Sequence, residues 1–317
     1  MLVVAVATIL AVQMTTDQNL AVTRAISTFD NEQAQQYAYG GEVLARQILY
    51  SSFSRQPNKD TLSEDWASNK LHYDFKDGPV EITIEDLESR LNLNGLALPA
   101  DQGGNIARFR FMSLVAHLGI DPGMVDRIID WVDQDQARQP LGAEDYDYLG
   151  LEHPYRTAGQ PMQDESELRL LSGMDAATYD AIAPWVCALP DVNSTINVNT
   201  APPLVLQAVI PDLTDDQAKQ IVSIRDSVQG YDTVADFLKR LTEFTPTPVV
   251  EGQTSLGVQS SFFRVSVRAH YHDRYAYLTS VIQRDPKDGS MHVIYRDFGR
   301  KIQPIVASDK SAGADNG

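Results

Sequence analysis

Two acidic segments carry the chemistry that stands out in this 317-residue sequence. Residues 130–135 read DWVDQD, and residues 142–148 read GAEDYDY. Calcium binds six to eight oxygen atoms, which come from carboxylates, carbonyl groups and water. If Asp133 is taken as position 1 of a twelve-residue calcium loop, Asp135 falls at position 3 and Glu144 at position 12, as in an EF-hand. The two segments therefore predict calcium chemistry.

The segment between these acids nevertheless departs from the EF-hand pattern. Position 5 is Ala137, and position 6, where an EF-hand has glycine, is Arg138. Pro140 further disfavours the EF-hand backbone. We expect a carboxylate-rich loop of a different geometry, and the alternative is an acidic loop that is simply solvated.

Aromatic residues alternate with the acids, which favours a bound cation over a solvated loop. Trp131, Tyr146 and Tyr148 indicate that the loop folds against a core, where carboxylates without a cation would repel one another. Zinc and copper are disfavoured, because His153 is the only histidine close by in sequence. The single cysteine, Cys187, excludes a cysteine-rich zinc site and is expected in the core.

Hydrolysis is the enzymatic alternative for the same residues. Asp133 and Glu144 could act as a general acid and base. The sequence contains no nucleophile elbow, phosphate-binding loop or metalloprotease helix motif. We therefore expect no enzymatic activity.

The negative charge of the chain is concentrated in this region. The net charge is −17, and between Asp121 and Asp180 there are 14 acidic residues against four arginines. Weak internal repetition predicts helix-hairpin-helix-like units near Ile120, Met174 and Leu213, although chance similarity of short helices is an alternative. Their turns contain aspartates, which repel phosphate. We expect no nucleic-acid partner.

A long helix is predicted at the N-terminus, from Met1 to about Phe53. Residues 1–16 carry no charge, but the apolar run is shorter than the ~20 residues that a membrane span needs. A buried core helix is therefore an alternative. The later part is apolar on one face only, so we interpret residues 1–16 as the membrane part of a helix whose far half packs on a soluble domain, with the first membrane residues missing.

Alternating hydrophobicity predicts strands on both sides of a helical region. They lie at residues 71–75, 80–84, 262–271, 275–283 and 292–298. We predict an α+β fold with a long N-terminal helix packed on an antiparallel sheet and a large inserted all-α domain, helix-hairpin-helix-like. The predicted divisions are helix 1–55, core 56–90 and 245–307, insertion 91–244, and flexible tail 308–317, with a linker between Thr245 and Gln253.

The order of these elements resembles the K-type minor pseudopilins of the type II secretion system. The segments that carry the resemblance are IDWVDQD at 129–135, GAEDYDY at 142–148, PYR at 154–156 and INVNTAP at 196–202. The resemblance implies two calcium ions in the inserted domain. The residues matching the acidic motif of the family are Asp133, Asp135, Glu144 and Asp145, with Asp130, Asp147 and Asn199 as additional candidates; Asn199 is alternatively a helix cap.

The same resemblance implies a position at the tip of a short periplasmic pseudopilus. Its partners would be the minor pseudopilins of I and J type, joined through their N-terminal helices, with the H-type pseudopilin as a further candidate. The protein would be anchored in the bacterial inner membrane by a single helix, with its soluble part in the periplasm. The basic leader of the family is not present in the sequence. The alternative function is a type IV pilus-like minor pilin or an adhesin that binds a surface ligand.

Overall fold

The computed structural model describes residues 1–68, 71–245 and 255–299. Its α-helices, in chain order, are α1 (Leu2–Arg55), α2 (Gly104–His117), α3 (Gly123–Val132), α4 (Asp145–Leu149), α5 (Ala176–Ile182), α6 (Pro203–Val209), α7 (Asp215–Ser227) and α8 (Val234–Leu241). Short 3₁₀ helices occur at Asp65–Ala67, Leu87–Ser89, Leu93–Ala97, Ala100–Gln102, Glu165–Leu170 and Ala183–Trp185. The predicted linker residues 246–253 and the predicted tail 308–317 lie outside the described residues.

The strands, again in chain order, are β1 (Leu71–Phe75), β2 (Gly78–Asp86), β3 (Leu91–Asn92), β4 (Val186–Cys187), β5 (Ile196–Asn197), β6 (Leu256–Gly257), β7 (Phe262–Tyr271), β8 (Arg274–Arg284) and β9 (Met291–Asp297). Within the described residues, an antiparallel five-stranded sheet has the order β1-β2-β7-β8-β9. The pairs β3-β4 and β5-β6 are short and parallel. The predicted α+β fold class is confirmed, with strand ends shifted by one or two residues.

The far half of α1 packs on the sheet through small side chains. Ala34, Ala38 and Ala45 are buried at three-and-four spacing, as the sequence pattern predicts. Gly41 faces the sheet too, and a Cβ atom there would lie 2.5 Å from the Val267 side chain. Because a methyl group would clash, glycine is needed for this close approach.

The opposite face of the sheet is largely polar, and one of its charged residues is buried, which the alternating pattern does not predict. Ser266 is half-buried and Arg268 is exposed, but Arg264 on the same face is buried. Its guanidinium pairs with Glu165, which belongs to a 3₁₀ helix of the inserted region, at 2.6 Å. The inserted region therefore covers this end of the sheet.

Hydrophobic side chains form separate clusters for the sheet and for the insertion. One cluster joins α1 to strands β1, β2, β7, β8 and β9. Another is built from residues between Leu91 and Leu256. Cys187, expected in the core, is buried in a small third cluster with Leu87, Leu189 and Phe262, where the two parts meet.

The predicted turn-helix units of the insertion are present. Helix α3 follows the turn at 120–122, α5 begins after the N-cap Asp175, and α7 begins after the N-cap Thr214. The middle unit has the shortest of the three helices, because α5 has only seven residues. Pro184 lies just beyond α5, which disfavours its continuation.

Candidate metal centre

The end of α3 and the start of α4 bring three carboxylates together. Asp130 lies in the last turn of α3, Asp133 is the residue that ends it, and Glu144 is the residue before α4. One carboxylate oxygen from each lies within 4.8 Å of the other two. We call these three residues the acidic triad. Asp130 and Glu144 are buried, and Asp133 is half-buried.

The loop between the helices is held against Asp130. The backbone N–H of Gln139 donates to Asp130 Oδ1 at 3.0 Å, and Arg138 Nε donates to the carbonyl of Gly142 at 2.9 Å. A Cβ atom at Gly142 would lie 1.8 Å from Asp130 Oδ2. Only glycine therefore allows the loop to close over Asp130. Gly142 was not among the predicted site residues, because nothing in the sequence shows which side chain approaches it.

Several carboxylate oxygens of the acidic triad have no donor. Asp133 Oδ1 and both carboxylate oxygens of Glu144 are buried and make no hydrogen bond. An ionised carboxylate that is removed from water without a donor is strongly destabilised, because neither solvent nor protein compensates its charge. The negative charge of the centre is therefore not compensated by protein groups, and a bound cation or protons could compensate it.

Burial without compensating positive charge also raises the pKa values of the acidic triad. Burial is the largest cause for each member of the acidic triad, and repulsion from neighbouring carboxylates adds to it. The pKa of Asp133 rises to about 6 and that of Glu144 to about 7. The pKa of Asp130 is also raised, although hydrogen bonds from Gln139 and Ala143 oppose the rise.

Two other predicted ligands, Asp135 and Asp147, each have one carboxylate oxygen that accepts a backbone hydrogen bond. Asp135 is exposed, and its Oδ1 accepts from the N–H of Ala137 at 2.7 Å. Asp147 Oδ2 accepts from the N–H of Glu144 at 3.0 Å, which fixes the start of α4. Asp147 also faces Arg138 at 3.6 Å. Both residues orient the loop, and Asp135 adds negative charge close to Asp133.

Asp145 points to a different segment from the acidic triad. Its Oδ1 accepts from the backbone and the hydroxyl of Thr157, and its Oδ2 pairs with Arg156 at 2.9 Å. Burial would raise its pKa, but these hydrogen bonds and the Arg156 charge hold the pKa of Asp145 below its usual range. Asp145 therefore fastens residues 156–157 to α4. The PYR segment noted in the sequence supplies this partner.

Asn199 is engaged away from the acidic triad. Its Oδ1 accepts from the N–H of Tyr231 at 2.7 Å, and its Nδ2 donates to the carbonyl of Tyr231 at 2.9 Å. Its own N–H donates to Asn197 Oδ1. These contacts join the end of β5 to the turn before α8, and the role of Asn199 as a cation ligand stays a prediction.

Aromatic side chains form a wall next to the acidic triad. Trp131 packs edge-on against Tyr148 at 5.5 Å between ring centroids, and Tyr148 lies 5.2 Å from Tyr155. Tyr146, predicted to share this packing, is 89% exposed instead. It falls on the solvent side of α4 because Tyr148, two residues later, takes the buried side.

The donor set of the acidic triad suits a hard cation. Three carboxylates and no histidine or cysteine make up this group, and oxygen ligands are those that calcium prefers. Three carboxylates also leave coordination positions for water or carbonyl oxygens. Among the described residues, the acidic triad is the group whose carboxylate oxygens lie within 4.8 Å of one another.

Comparison with known proteins identifies the family. Two models described as type II secretion system (T2SS), protein K, match residues 89–191 and 196–259, which together exceed half of the chain. The chain belongs to the type II secretion system protein K family. The first matched range contains the whole acidic triad, and the second contains Asn199.

Relatives of known name extend the family match beyond these ranges. Type II secretion system protein K of Pseudomonas aeruginosa is 37% identical over 321 residues, covering 97% of this chain and 93% of the relative. The protein K of Klebsiella pneumoniae is also 37% identical, over 76% of this chain and 77% of its own length. Membership therefore includes α1 and the sheet as well as the insertion.

A solved structure shows the same fold. A chain in the crystal structure of the GspK-GspI-GspJ complex from enterotoxigenic Escherichia coli superposes with a TM-score of 0.78 at 27% identity. The match covers 88% of this chain and 100% of that one.

Among the described residues, no helix combines the length and the apolar character that crossing a membrane requires.

Proposed function

We propose that this protein is a non-enzymatic minor pseudopilin that caps the tip of the type II secretion pseudopilus. In that role it supports initiation of the pseudopilus and protein export across the outer membrane. The observation that carries the proposal is the superposition, over 88% of the chain, on a member of a complex named for three secretion-system proteins. By the same likeness, its partners are the I-type and J-type minor pseudopilins, with the H-type as a further candidate.

The shape of the molecule supports a terminal position. Helix α1 has 54 residues, about 80 Å at 1.5 Å per residue, and its buried residues all lie between Ala34 and Phe53. The insertion covers one end of the sheet through Arg264 and Glu165. A bulky unit at that place would block the addition of another subunit above it, which suits a cap.

The beginning of α1 supports membrane anchoring as part of the proposal. Leu2, Val3 and Ile9 are each more than 60% exposed, and the segment from Leu2 to Val12 carries no charge. Exposed apolar surface of this kind is stable only against lipid or other apolar helices. We therefore place the protein in the bacterial inner membrane as a single-pass protein, with the sheet and insertion in the periplasm.

Calcium binding belongs to the same proposal. The acidic triad has three buried oxygens without donors and raised pKa values, and a divalent cation would compensate both. In this role calcium would supply positive charge, while Asp130, Asp133 and Glu144 hold it between α3 and α4. Two ions follow from the family resemblance, and titration gives their number.

Complex formation tests the function. The full chain is mixed with the I-type and J-type subunits of its own secretion system and separated by size-exclusion chromatography. We expect a stable ternary complex whose amount falls when calcium is chelated, because the insertion then loses stability. Absence of any complex, together with binding of the chain to cell surfaces or glycans, would support the adhesin alternative and contradict the proposal.

A further inference from the structure

Two short segments connect the sheet to the insertion. The chain leaves the sheet after β2 and returns to it before β7. Residues 86–90, called the outgoing segment below, lie next to residues 258–261, called the return segment, because β2 and β7 are neighbouring antiparallel strands. Contacts between the two segments help to hold the insertion on the sheet.

Carboxylates join these two segments. Asp86 Oδ2 accepts from the hydroxyl of Ser260 at 2.6 Å, and Asp60 Oδ2 accepts from the N–H of the same serine at 2.8 Å. Glu88 Oε2 accepts from the backbone N–H of Ser261. We call this bond between Glu88 and Ser261 the Glu88 clasp, because it fastens the outgoing segment to the return segment.

Glu88 is buried at this place without a cation of its own. It is only 5% exposed, and none of the ion pairs among the described residues includes it. The guanidinium of Arg284 pairs with Asp60 at 2.5 Å. Burial is the largest cause that raises the pKa of Glu88, to about 8, and repulsion from Asp86 and Asp60 adds to it. Backbone hydrogen bonds oppose this rise of the pKa without cancelling it.

The other ionisable groups around Glu88 leave its charge uncompensated. By element they are Arg90 in the outgoing segment, Cys187 in β4, Asp191 before β5, Arg264 in β7, Asp285 after β8 and His292 in β9. Arg90 pairs with Glu85 at 3.2 Å, and Arg264 pairs with Glu165 at 2.6 Å. Asp191 and Asp285 carry further negative charge, His292 is exposed, and the Cys187 thiol stays neutral because burial raises its pKa.

A polar cavity gives Glu88 a connection to solvent. The cavity has a volume of about 450 Å³ and lies where the loop before β5 meets the turn between β8 and β9. Glu88 and its donor Ser261 both line it, together with Ser194 and Gln283. A polar cavity of this size has room for water. The carboxyl proton of Glu88 can therefore exchange with water from this side.

We propose that a proton on Glu88 keeps the insertion fastened to the sheet, and that the Glu88 clasp opens as this proton is released to solvent. With the proton in place, the buried carboxyl group is neutral and accepts from Ser261. In the open form the carboxylate is ionised and hydrated. The O–H bond of the acid breaks, and water or hydroxide takes the proton. The insertion is then held less firmly on the sheet at alkaline pH.

The pKa values of the two forms give the pH range of this device. Glu88 in the open form has the ordinary pKa of ~4.3, whereas in the closed form its pKa is about 8. The closed form is therefore favoured most at low pH, loses its advantage as pH rises towards 8, and has lost all of it above 8. For one group with these values, the ratio of open to closed molecules rises about tenfold between pH 7 and pH 9.

Hydrogen exchange of the full chain tests the Glu88 clasp, with rates corrected for the intrinsic effect of pH on amide exchange. In wild type, peptides containing residues 86–90 and 260–263 should exchange about tenfold faster at pH 9 than at pH 7. Glu88→Gln has a neutral side chain of the same shape and should show no such change. The matched control is Glu81→Gln, on β2 but paired with the exposed Arg268, which should behave as wild type does.

The outcomes decide the proposal even if one variant does not fold. Glu88→Met, which cannot ionise or accept from Ser261, should be less stable but equally independent of pH between 7 and 9. Equal protection of wild type at both pH values would overturn the proposal. So would a folded Glu88→Gln or Glu88→Met that loses protection as wild type does. A loss spread evenly over the sheet and the insertion would show global unfolding and overturn the Glu88 clasp too.

Discussion

Two groups of buried acids in this molecule have opposite surroundings. The acidic triad lies between α3 and α4, and the junction acids, Asp60, Asp86 and Glu88, lie where the insertion meets the sheet. Burial raises pKa values in both groups, to about 7 for Glu144 and to about 6 for Asp86. A raised pKa therefore does not distinguish a metal site from a structural network.

Hydrogen-bond donors distinguish the two groups. Asp86 Oδ2 accepts from the hydroxyls of Thr200 and Ser260 at 2.5 and 2.6 Å and from the amide of Asn197 at 3.2 Å. Asp60 Oδ2 pairs with Arg284 at 2.5 Å. Protein groups therefore compensate Asp60 and Asp86.

The acidic triad lacks such donors for three buried oxygens. Charge compensation must then come from outside the protein, as a cation or as protons. The comparison teaches that the supply of hydrogen-bond donors, rather than the number of acids, separates the candidate cation site from the structural network. The predictions below test this difference, from the largest expected effect to the smallest.

The largest effect is expected at the junction. Arg284→Leu leaves Asp60 buried without its cation, and breaking a buried pair in this way costs about 3–5 kcal/mol of unfolding free energy. Urea unfolding with and without calcium should show the same loss. The control is Arg55→Ala, which removes an exposed pair with Asp65 and should cost less than about 1 kcal/mol. A loss that disappears in calcium would contradict the distinction.

Replacing one carboxylate by an amide should act differently in the two groups. Asp86→Asn places an NH₂ donor against the hydroxyls of Thr200 and Ser260, which also donate there. It should lower the free energy of unfolding by about 1–3 kcal/mol. Glu144→Gln in calcium-free buffer removes repulsion and should leave stability unchanged or raised. Chemical denaturation of both variants with chelator present measures this. Equal destabilisation would show that the acidic triad has donors after all.

Gly142→Ala should damage the acidic triad alone. Its methyl group would overlap Asp130 Oδ2, which forces the loop outward and costs at least about 1 kcal/mol. Calcium affinity, measured by titration calorimetry, should fall with it. Gly150→Ala is the matched control, because a Cβ atom there makes only ordinary contacts at 3.6 Å. Equal calcium affinity in both variants would argue against closure over Asp130.

The smallest effect is a dependence on pH. The folded-state pKa values of Asp133 and Glu144, about 6 and about 7, lie above the ordinary values of ~3.9 and ~4.3. Their penalty to folding is full above pH 7 and is relieved as pH falls through 7 and 6, because the folded state binds protons more tightly. Protons compete with calcium over this range. The calcium-induced rise in melting temperature should therefore shrink between pH 7.5 and 5.5; a constant rise would exclude these groups as ligands.

Much of the fold could be predicted from the sequence, because its pattern is local. Small residues at three-and-four spacing mark the buried face of α1, and strict alternation marks β7. The alternating pattern predicts that Arg264 is exposed, but Glu165, 99 residues away in sequence, covers it. Strand periodicity reports the two faces of a sheet, and distant segments determine what covers them.

The sequence predicts the region of the candidate metal centre, but it identifies only some of the residues that come together there. Asp133 and Glu144 follow from loop spacing, but Asp130 joins them because α3 continues to Val132. Asp145 and Asp147 belong to the same acidic segment as Glu144, but their carboxylate oxygens have other partners. Those of Asp145 bond to Thr157 and Arg156, and Asp147 Oδ2 accepts from the N–H at the start of α4. These assignments depend on side-chain direction and on remote donors, which local sequence does not contain.

Calorimetric titration with calcium tests the central claim most directly. Wild type, Glu144→Gln and the exposed control Glu152→Gln are compared, each after removal of metal with chelator. Wild type and the control should release or absorb heat on binding and gain stability, by about 2.7 kcal/mol at calcium 100-fold above Kd. Glu144→Gln should lose most of both responses. A wild type whose heat and melting temperature ignore calcium, or a Glu144→Gln that binds as wild type does, would contradict a calcium site at the acidic triad.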